Sequence, residues 1–297
     1  MTLPTPLHSL LCCPTCGQEL TWTASNARCA HAHSFSLTRN GIPILVGGEQ
    51  HQAIYQKQID YFSRENASTT PAYVLAPWMR KYVDLALRHF GPPSTDAVAL
   101  DIGCGSGYMT IELARAGYRV VAADLTPSTI IALAHKVEAL GLRERVLPVI
   151  SSALDLPVHA GCVNAVVGNA IIEHLPDDNR FAGELARVCA SGAKGMLVAP
   201  VKLRHVWPMF WPVNYLHDRR IGHLRRYDAA SFEQLLARHG FALDAVGYTG
   251  HLRKVAGVLL QMLLRTHRWD EALERLDAAA AQRAYGSSNV IVTFHKA

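Results

Sequence analysis

Four groups of residues in this chain have types and spacings that can do chemistry. The first lies near the start, where Cys13 and Cys16 stand as CxxC around Pro14 and Thr15 and, after 12 intervening residues, Cys29 and His33 give CxxxH. A CxxC knuckle turns two thiolates toward one point. Four soft or borderline ligands in two pairs suit a closed tetrahedral zinc site, structural because no position is left for water or substrate. Cys12 and His31 can replace Cys13 or His33 in that set, and reduced thiols or a disulfide are the alternative to metal. The second group is Gly103, Gly105 and Gly107, alternating as GxGxG behind Asp101, with Asp124 standing 21 residues after Gly103. Such glycines let backbone amides approach a ligand, and an acid at the end of the next strand can accept two hydrogen bonds from a ribose diol. The third is Asn169, Glu173 and His174 in NAIIEHLPD, where an ordinary imidazole titrates near neutrality and can act as a general base or simply pack. The fourth runs from His217 to Asp228, HDRRIGHLRRYD. There Arg219, Arg220, Arg225 and Arg226 can hold a carboxylate or phosphate and His223 or Tyr227 can reach an acceptor, with a solvated basic turn as the plain alternative.

These groups need elements to position them. Val98 to Ile102 reads as a strand buried on both faces of a parallel sheet. A helix from Thr110 to Ala116 follows, Gly117 stops it, and a strand from Arg119 to Ala123 delivers Asp124 at its carboxyl end. Each feature alone is also a turn glycine or a helix N-cap, but a nicotinamide-binding unit would place its third glycine one position later, as GxGxxG. Further on, Pro127 to Leu140 and a stretch ending at Leu185 read as helices, with strands at Arg145 to Ile150, Val163 to Asn169 and Lys194 to Ala199. After the helix Ser231 to His239, Phe241 to Tyr248 and Val290 to His295 complete an α/β sheet of seven strands. The alternation predicts that ligand contacts gather at the carboxyl ends of the strands.

The stretch ALDIGCGSGYMTIELA followed by VVAADLT resembles motif I and the following acidic motif of class I S-adenosylmethionine-dependent methyltransferases. The resemblance implies a Rossmann-like seven-stranded methyltransferase sheet that holds S-adenosylmethionine through Asp101, Gly103, Cys104, Gly105, Gly107, Asp124 and Leu125, with Ser152, Ala153 and Asn169 on the following loops. Many relatives present an acid to the adenine just ahead of a Leu-Pro pair; here Leu156 and Pro157 are preceded by Ser152 at the matching position, with Asp155 nearby as a possible replacement. AIIEHLPD resembles the segment of small-molecule methyltransferases that ends beside the methyl-donor sulfur, and GHLRRY resembles the GHxRRY segment of enzymes that modify quinones and lipids. The resemblance makes His174, His223 and Tyr227 the catalytic candidates. At the N-terminus, Cys13, Pro14, Cys16, Cys29, His33 and Phe35 resemble the zinc ribbon of bacterial 23S rRNA guanine-N1 methyltransferases, and GIPILV, Gly41 to Val46, looks like the end of a related small ribbon family. Those guanine-N1 enzymes usually lack an EHLPD segment, so the two halves of the chain point to different acceptors.

Composition bounds these readings. With 297 residues, 49% hydrophobic and 18% charged, the chain can bury one large α/β core and carry a small extra module. We divide it into a zinc ribbon at 1–46, a helical linker or cofactor cover at 47–95, and a methyltransferase domain at 96–297 with substrate-side insertions at 201–228 and 250–285. A net charge of +5 is too mild to indicate nucleic acid. No signal peptide or membrane span is expected, and the chain reads as cytoplasmic; Val255 to Leu264 is about half the roughly 20 residues a span needs. In the linker, Ile54, Ile59, Tyr61 and Phe62 suggest an amphipathic helix in which Tyr55, Tyr61 or Phe62 closes the pocket or packs in the core, and Tyr73 to Phe90 presents Val74, Trp78, Tyr82, Leu85 and Phe90 on one face. VWPMFWPVNY, Val206 to Tyr215, looks too rich in proline for a regular helix and too apolar for water, so it should line a pocket or pack inside. Between the last two strands, Val258, Leu259, Met262 and Leu263 form a stripe that can cover an apolar substrate or a homodimer partner, with burial against the domain as the plain reading. The preferred acceptor is a small or lipid-like molecule; the alternative is structured RNA presenting a guanine, and a third reading makes the chain a non-enzymatic docking scaffold.

Overall fold

A computed structural model describes residues 6–47, 56, 59–61, 63 and 73–297. Strands Leu20–Trp22 (β1), Asn26–Cys29 (β2) and Ser34–Ser36 (β3) form a small antiparallel sheet in that order, and Ile44–Leu45 (β4) ends the segment. Helix Pro77–Phe90 (α1) starts on a proline, whose missing N–H costs nothing in the first turn, and buries Tyr82, Val83, Ala86 and Phe90 at helical spacing. It begins four residues after Tyr73, and Val74 and Trp78 lie off the buried stripe, 74% and 47% exposed. Tyr55 and Phe62, expected to close the pocket, lie outside the described residues, whereas Tyr61 is half-buried in helical backbone.

Strand and helix then alternate: Val98–Ile102 (β5), Tyr108–Arg115 (α2), Arg119–Asp124 (β6), Pro127–Ala139 (α3), Val146–Ser151 (β7), Val163–Asn169 (β8), Asp178–Val188 (α4) and Cys189–Pro200 (β9). After these come Trp211–Ile221 (α5), Ala229–Ala237 (α6), Phe241–Thr249 (β10), Leu252–Leu264 (α7), Asp270–Ala278 (α8) and Asn289–Lys296 (β11). The main sheet runs β10-β11-β9-β8-β5-β6-β7-β4; β11 is antiparallel to both its neighbours and all other pairs are parallel. All five residues of β5 are buried, as a central strand covered on both faces requires. One face packs Leu100, Ile102 and Val166 against Phe181 and Phe232; the other packs Ala99, Val120 and Met196 against Tyr82 and Ile111. Strands are added in one direction from β5 through β6 to β7 and in the other from β8 to β9, so the crevice at the carboxyl ends of β5 and β8, where the order reverses, is where a ligand has room.

The seven expected strands are joined by an eighth. Ile44–Leu45, which the sequence groups with the ribbon, pairs in parallel with β7, and Leu45 is fully buried in the main core. A short apolar run covers the open edge of β7 and satisfies amides such as that of Ile150, which donates to the Pro43 carbonyl at 3.0 Å. The other end of the ribbon is fastened as well. Leu11 bridges Val158, the Cys12 amide donates to the Pro157 carbonyl, the His159 amide donates to the Leu10 carbonyl, and Leu7, Leu10 and Leu11 enter the main core.

Two expectations about apolar segments are corrected. The proline-rich stretch does form a helix from Trp211 onward, because Pro212 falls in the first turn of α5 where proline is tolerated. It is also left largely in solvent, with Met209 and Val213 each more than 60% exposed and Tyr215 more than half exposed. The stripe on α7 likewise faces outward at Leu259 and Leu263, since α7 packs against α8 through its opposite side.

Candidate functional site

The glycine loop is shaped by backbone contacts between β5 and β6. The amides of Gly103 and Cys104 both donate to the Ala123 carbonyl, which folds the loop back over the end of β6. Gly107 opens α2 at φ +80°, and a Cβ there would lie 2.2 Å from Cδ1 of Leu133, a buried residue of α3. Glycine is therefore required twice over, by the left-handed conformation and by the packing of α3. Gly107→Ala should lower stability by about 2 kcal/mol, read from the midpoint of a denaturant titration. Asp101, just ahead of the loop, is buried and accepts the Thr110 hydroxyl at 2.6 Å, tying α2 to β5. Burial pushes its carboxyl up to about 6. Asp124 meets the loop directly, accepting the Gly105 amide at 3.0 Å and the Thr126 amide at 2.8 Å. Burial raises its pKa, and those amides oppose the rise.

Two cavities meet above these residues. One, of ≈ 250 Å³, is lined by Asp124, Leu125, Ser152, Ala153 and His174, with Ile59 on its far side. The other, of ≈ 750 Å³, has an aromatic wall of Trp78, Tyr82 and Tyr108 and a polar end with Lys254, Gln261 and Glu274. Gly103, Gly105, Asn169 and Ala170 line both. Asp101 and Cys104 line the larger one only, and Gly107 lines neither. Asn169 reaches across the junction to the Tyr108 hydroxyl. Ser152 spends its hydroxyl partly on the Leu154 amide, at 3.1 Å, while the proposed substitute Asp155 turns to Arg180 and lines neither cavity.

Of the catalytic candidates, His174 alone borders either of these two cavities. Burial, reinforced by His223, lowers its imidazole to about 4. His223 lies against it edge to face with ring centroids 4.8 Å apart. Tyr227 is buried, stacked on Phe232, with its hydroxyl donating to Asp178 at 2.8 Å. Two of the arginines expected to bind an anion are committed to the fold: Arg225 pairs with Asp178 at 2.9 Å, and Arg226 grips both oxygens of Asp218 at 2.7 and 2.8 Å. Arg219 lies over the Tyr215 ring. Half of the basic motif's arginines therefore act as an internal clamp, with Asp178 and Asp218 as the anions.

The larger cavity contains residues that sequence reasoning missed. Trp78, Lys254, Gln261 and Glu274 come from α1, α7 and α8, and no local motif marks them. Asp277 fixes this wall. It accepts the amides of Gly250 and His251 and the Thr249 hydroxyl, and pairs with Lys81 at 3.0 Å. Burial alone would raise its pKa, but these donors hold it well below the carboxylate range.

In the ribbon, Cys13, Cys16, Cys29 and His33 bring their ligand atoms within 4.8 Å of one another. Sγ of Cys16 and Cys29 are 3.7 Å apart, and Nδ1 of His33 lies 3.5 Å from Cys13 Sγ and 3.4 Å from Cys29 Sγ. A tetrahedron with ~2.3 Å arms has edges of about 3.7 Å, so these three separations match the edges of a zinc site. Cys12 is buried apart from this set, near Arg187.

Residues 100–197 match a methyltransferase domain. The matched stretch runs from β5 into β9 and holds the glycine loop, Asp124, Asn169 and His174. A protein of Mycolicibacterium smegmatis named "Probable S-adenosylmethionine-dependent methyltransferase" is 24% identical over 56% of this chain and 60% of its own length. Norajmaline N-methyltransferase of Rauvolfia serpentina is 32% identical over 38% of this chain and 40% of its own length. The chain thus spans 60% of the first relative and 40% of the second. A geranyl diphosphate methyltransferase solved with S-adenosylmethionine superposes with a TM-score of 0.55 at 18% identity, over 73% of this chain and 85% of that one. A cyclase superposes with a TM-score of 0.59 at 15% identity, over 84% and 98%. The fold is the α/β Rossmann-like methyltransferase fold, and the cyclase is a reminder that activity has to be argued from the site.

Proposed function

We propose that the chain is an S-adenosylmethionine-dependent methyltransferase acting on a small-molecule or lipid-like acceptor. The observation that carries this reading is the pair of cavities meeting at Gly103 and Asn169, one bordered by the carboxylate of Asp124 and the other walled by aromatic rings. The matched domain and relatives named as methyltransferases support the reaction class. S-adenosylmethionine supplies, when bound, a methyl group activated on a sulfonium. On this reading Asp124 accepts both ribose hydroxyls, the loop from Gly103 to Gly107 gives the amino-acid moiety close access to backbone, and Ser152, Ala153 and Leu125 border the adenine. Asp101 and Cys104 hold the loop's base, and Asn169 with Tyr108 separates donor from acceptor. Transfer from a sulfonium needs in-line alignment and exclusion of water more than acid–base help. His174 is neutral at pH 7 and a weak proton acceptor, so alignment carries the reaction; His223 backs it, and Tyr227 positions the turn that holds both.

We read the Cys13, Cys16, Cys29 and His33 set as a structural zinc site. Two observations favour a small acceptor over RNA: the cavity of ≈ 750 Å³ can enclose one, and the arginines of the basic motif that would meet a phosphate backbone are partly spent on Asp178 and Asp218. Among the described residues no helix is long and apolar enough to cross a membrane.

The test is to incubate the full chain with methyl-labelled S-adenosylmethionine and either a small-molecule extract or undermethylated total RNA. Label should appear in the extract and be insensitive to moderate salt. Label in nuclease-sensitive material, with affinity falling steeply as salt rises, would overturn the small-acceptor reading and turn the ribbon into a nucleic-acid module.

A further inference from the structure

We propose that Glu173, His174 and His223 form a second metal site, which takes a first-row divalent cation through one carboxylate oxygen and two imidazole nitrogens. The three residues bring their ligand atoms within 4.8 Å of one another. Glu173 is 1% exposed, its Oε1 lies 3.7 Å from Nε2 of His223, and its Oε2 is buried with no hydrogen-bond partner. A carboxylate oxygen buried without a donor is costly, and a cation is a group that would repay it.

The histidine is prepared for that role. Nδ1 of His223 lies 2.7 Å from Oδ1 of Asp218, and Asp218 is itself held by Arg226. A carboxylate on one ring nitrogen keeps the proton there and leaves the lone pair of the other facing the neighbouring ligand, the arrangement that orients metal-bound histidines. Here the nitrogen left facing Glu173 is Nε2. The donor set of two nitrogens and one oxygen suits Mn, Fe, Co or Zn better than Ca or Mg. Reaching octahedral edges of about 3 Å, which ~2.1 Å bonds give, requires the trio to contract on binding. The site uses none of the ribbon's ligands.

Position suggests its use. His174 borders the smaller cavity, which meets the larger one at Asn169 and Ala170, so a cation here would turn its open positions into that smaller cavity, where an acceptor oxygen entering through the junction would reach it. This part of the inference rests on the methyltransferase reading. A hydroxyl bound to the cation loses its proton to solvent more readily; its oxygen pair then forms the bond to the methyl carbon while the carbon–sulfur pair returns to sulfur. The acceptor class implied is therefore an alcohol, phenol or diol.

The experiment titrates the full chain with MnCl2 and counts free Mn2+ by electron paramagnetic resonance. Saturable uptake of one equivalent is expected, lost in Glu173→Gln and His223→Ala and at least about 10-fold weaker in Asp218→Asn. Cys16→Ser should leave it unchanged. Far-UV circular dichroism establishes that each variant is folded, and Glu173→Gln is nearly isosteric. No saturable uptake by the wild type, uptake unaltered by Glu173→Gln, or uptake lost in Cys16→Ser would each overturn the site. Calorimetry with S-adenosylmethionine separates the two proposals: Mn2+ uptake without donor binding keeps the site and removes the methyltransferase reading, and the converse removes the site alone.

Discussion

Asp124→Ala should weaken S-adenosylmethionine binding by at least about 100-fold while leaving the protein folded. A carboxylate that accepts two ribose hydroxyls makes two hydrogen bonds to a charged group, each worth about 1.5–3 kcal/mol, and 1.4 kcal/mol is a factor of ten. The variant also strands the amides of Gly105 and Thr126, which donate to this carboxylate, so the loop loses one of its ties to β6 and keeps those of Gly103 and Cys104 to the Ala123 carbonyl. Asp124→Asn keeps the shape but replaces one acceptor oxygen with a donor, and should fall between the two. Calorimetry on both variants, with thermal melts to verify folding, decides the matter. Unchanged affinity in Asp124→Ala would mean that the smaller cavity does not hold the ribose, and the assignment of the donor site would fall.

The second large effect is expected from the ribbon. Cys29→Ser should release zinc and lower the melting temperature by about 10 °C, corresponding to a loss of roughly 4 kcal/mol in a domain of this size. A ribbon of about 40 residues cannot fold on apolar burial alone. Here it also carries Leu7, Leu10 and Leu11 into the main core, so loosening it exposes surface that the large domain relies on. Cys12→Ser is the matched control, since Cys12 stands apart from the cluster and should keep its metal content. Elemental analysis and thermal melts of the two variants are sufficient. A Cys29→Ser protein with the zinc content and melting point of the wild type would remove the structural-metal reading.

What the sequence made legible was local. The order strand, glycine loop, helix, strand, acid places Gly103 and Asp124 together through five hydrogen-bonded pairs between β5 and β6, and neighbours in sequence become neighbours in the sheet. The cysteine set is legible for the same reason, because CxxC and CxxxH are short loops. The residues of the larger cavity were not legible, although the sequence set 47–95 and 250–285 on the cofactor or substrate side: Trp78, Tyr108, Lys254 and Glu274 lie far apart in sequence and meet only when α8 packs against α1 and α7 against α8. Half of the arginine motif misled, because Arg226 finds its anion eight residues upstream and Arg225 finds Asp178 at the start of α4, facts that charge patterning alone does not contain. Pro212 misled in the opposite sense, since a proline that would break a helix interior is harmless in its first turn.

The double fastening of the ribbon bears on how the chain is made. Leu11 meets Val158, and Ile44 meets Ile150, so the seat of the cysteine-bearing segment is built from residues more than a hundred positions later. During synthesis at about 5–20 residues per second, the segment waits on the order of 10 s with its leucines uncovered before that seat exists. Early zinc capture would keep it compact through the delay, and a cell short of zinc would be expected to lose this protein as it is being made, not after it has folded.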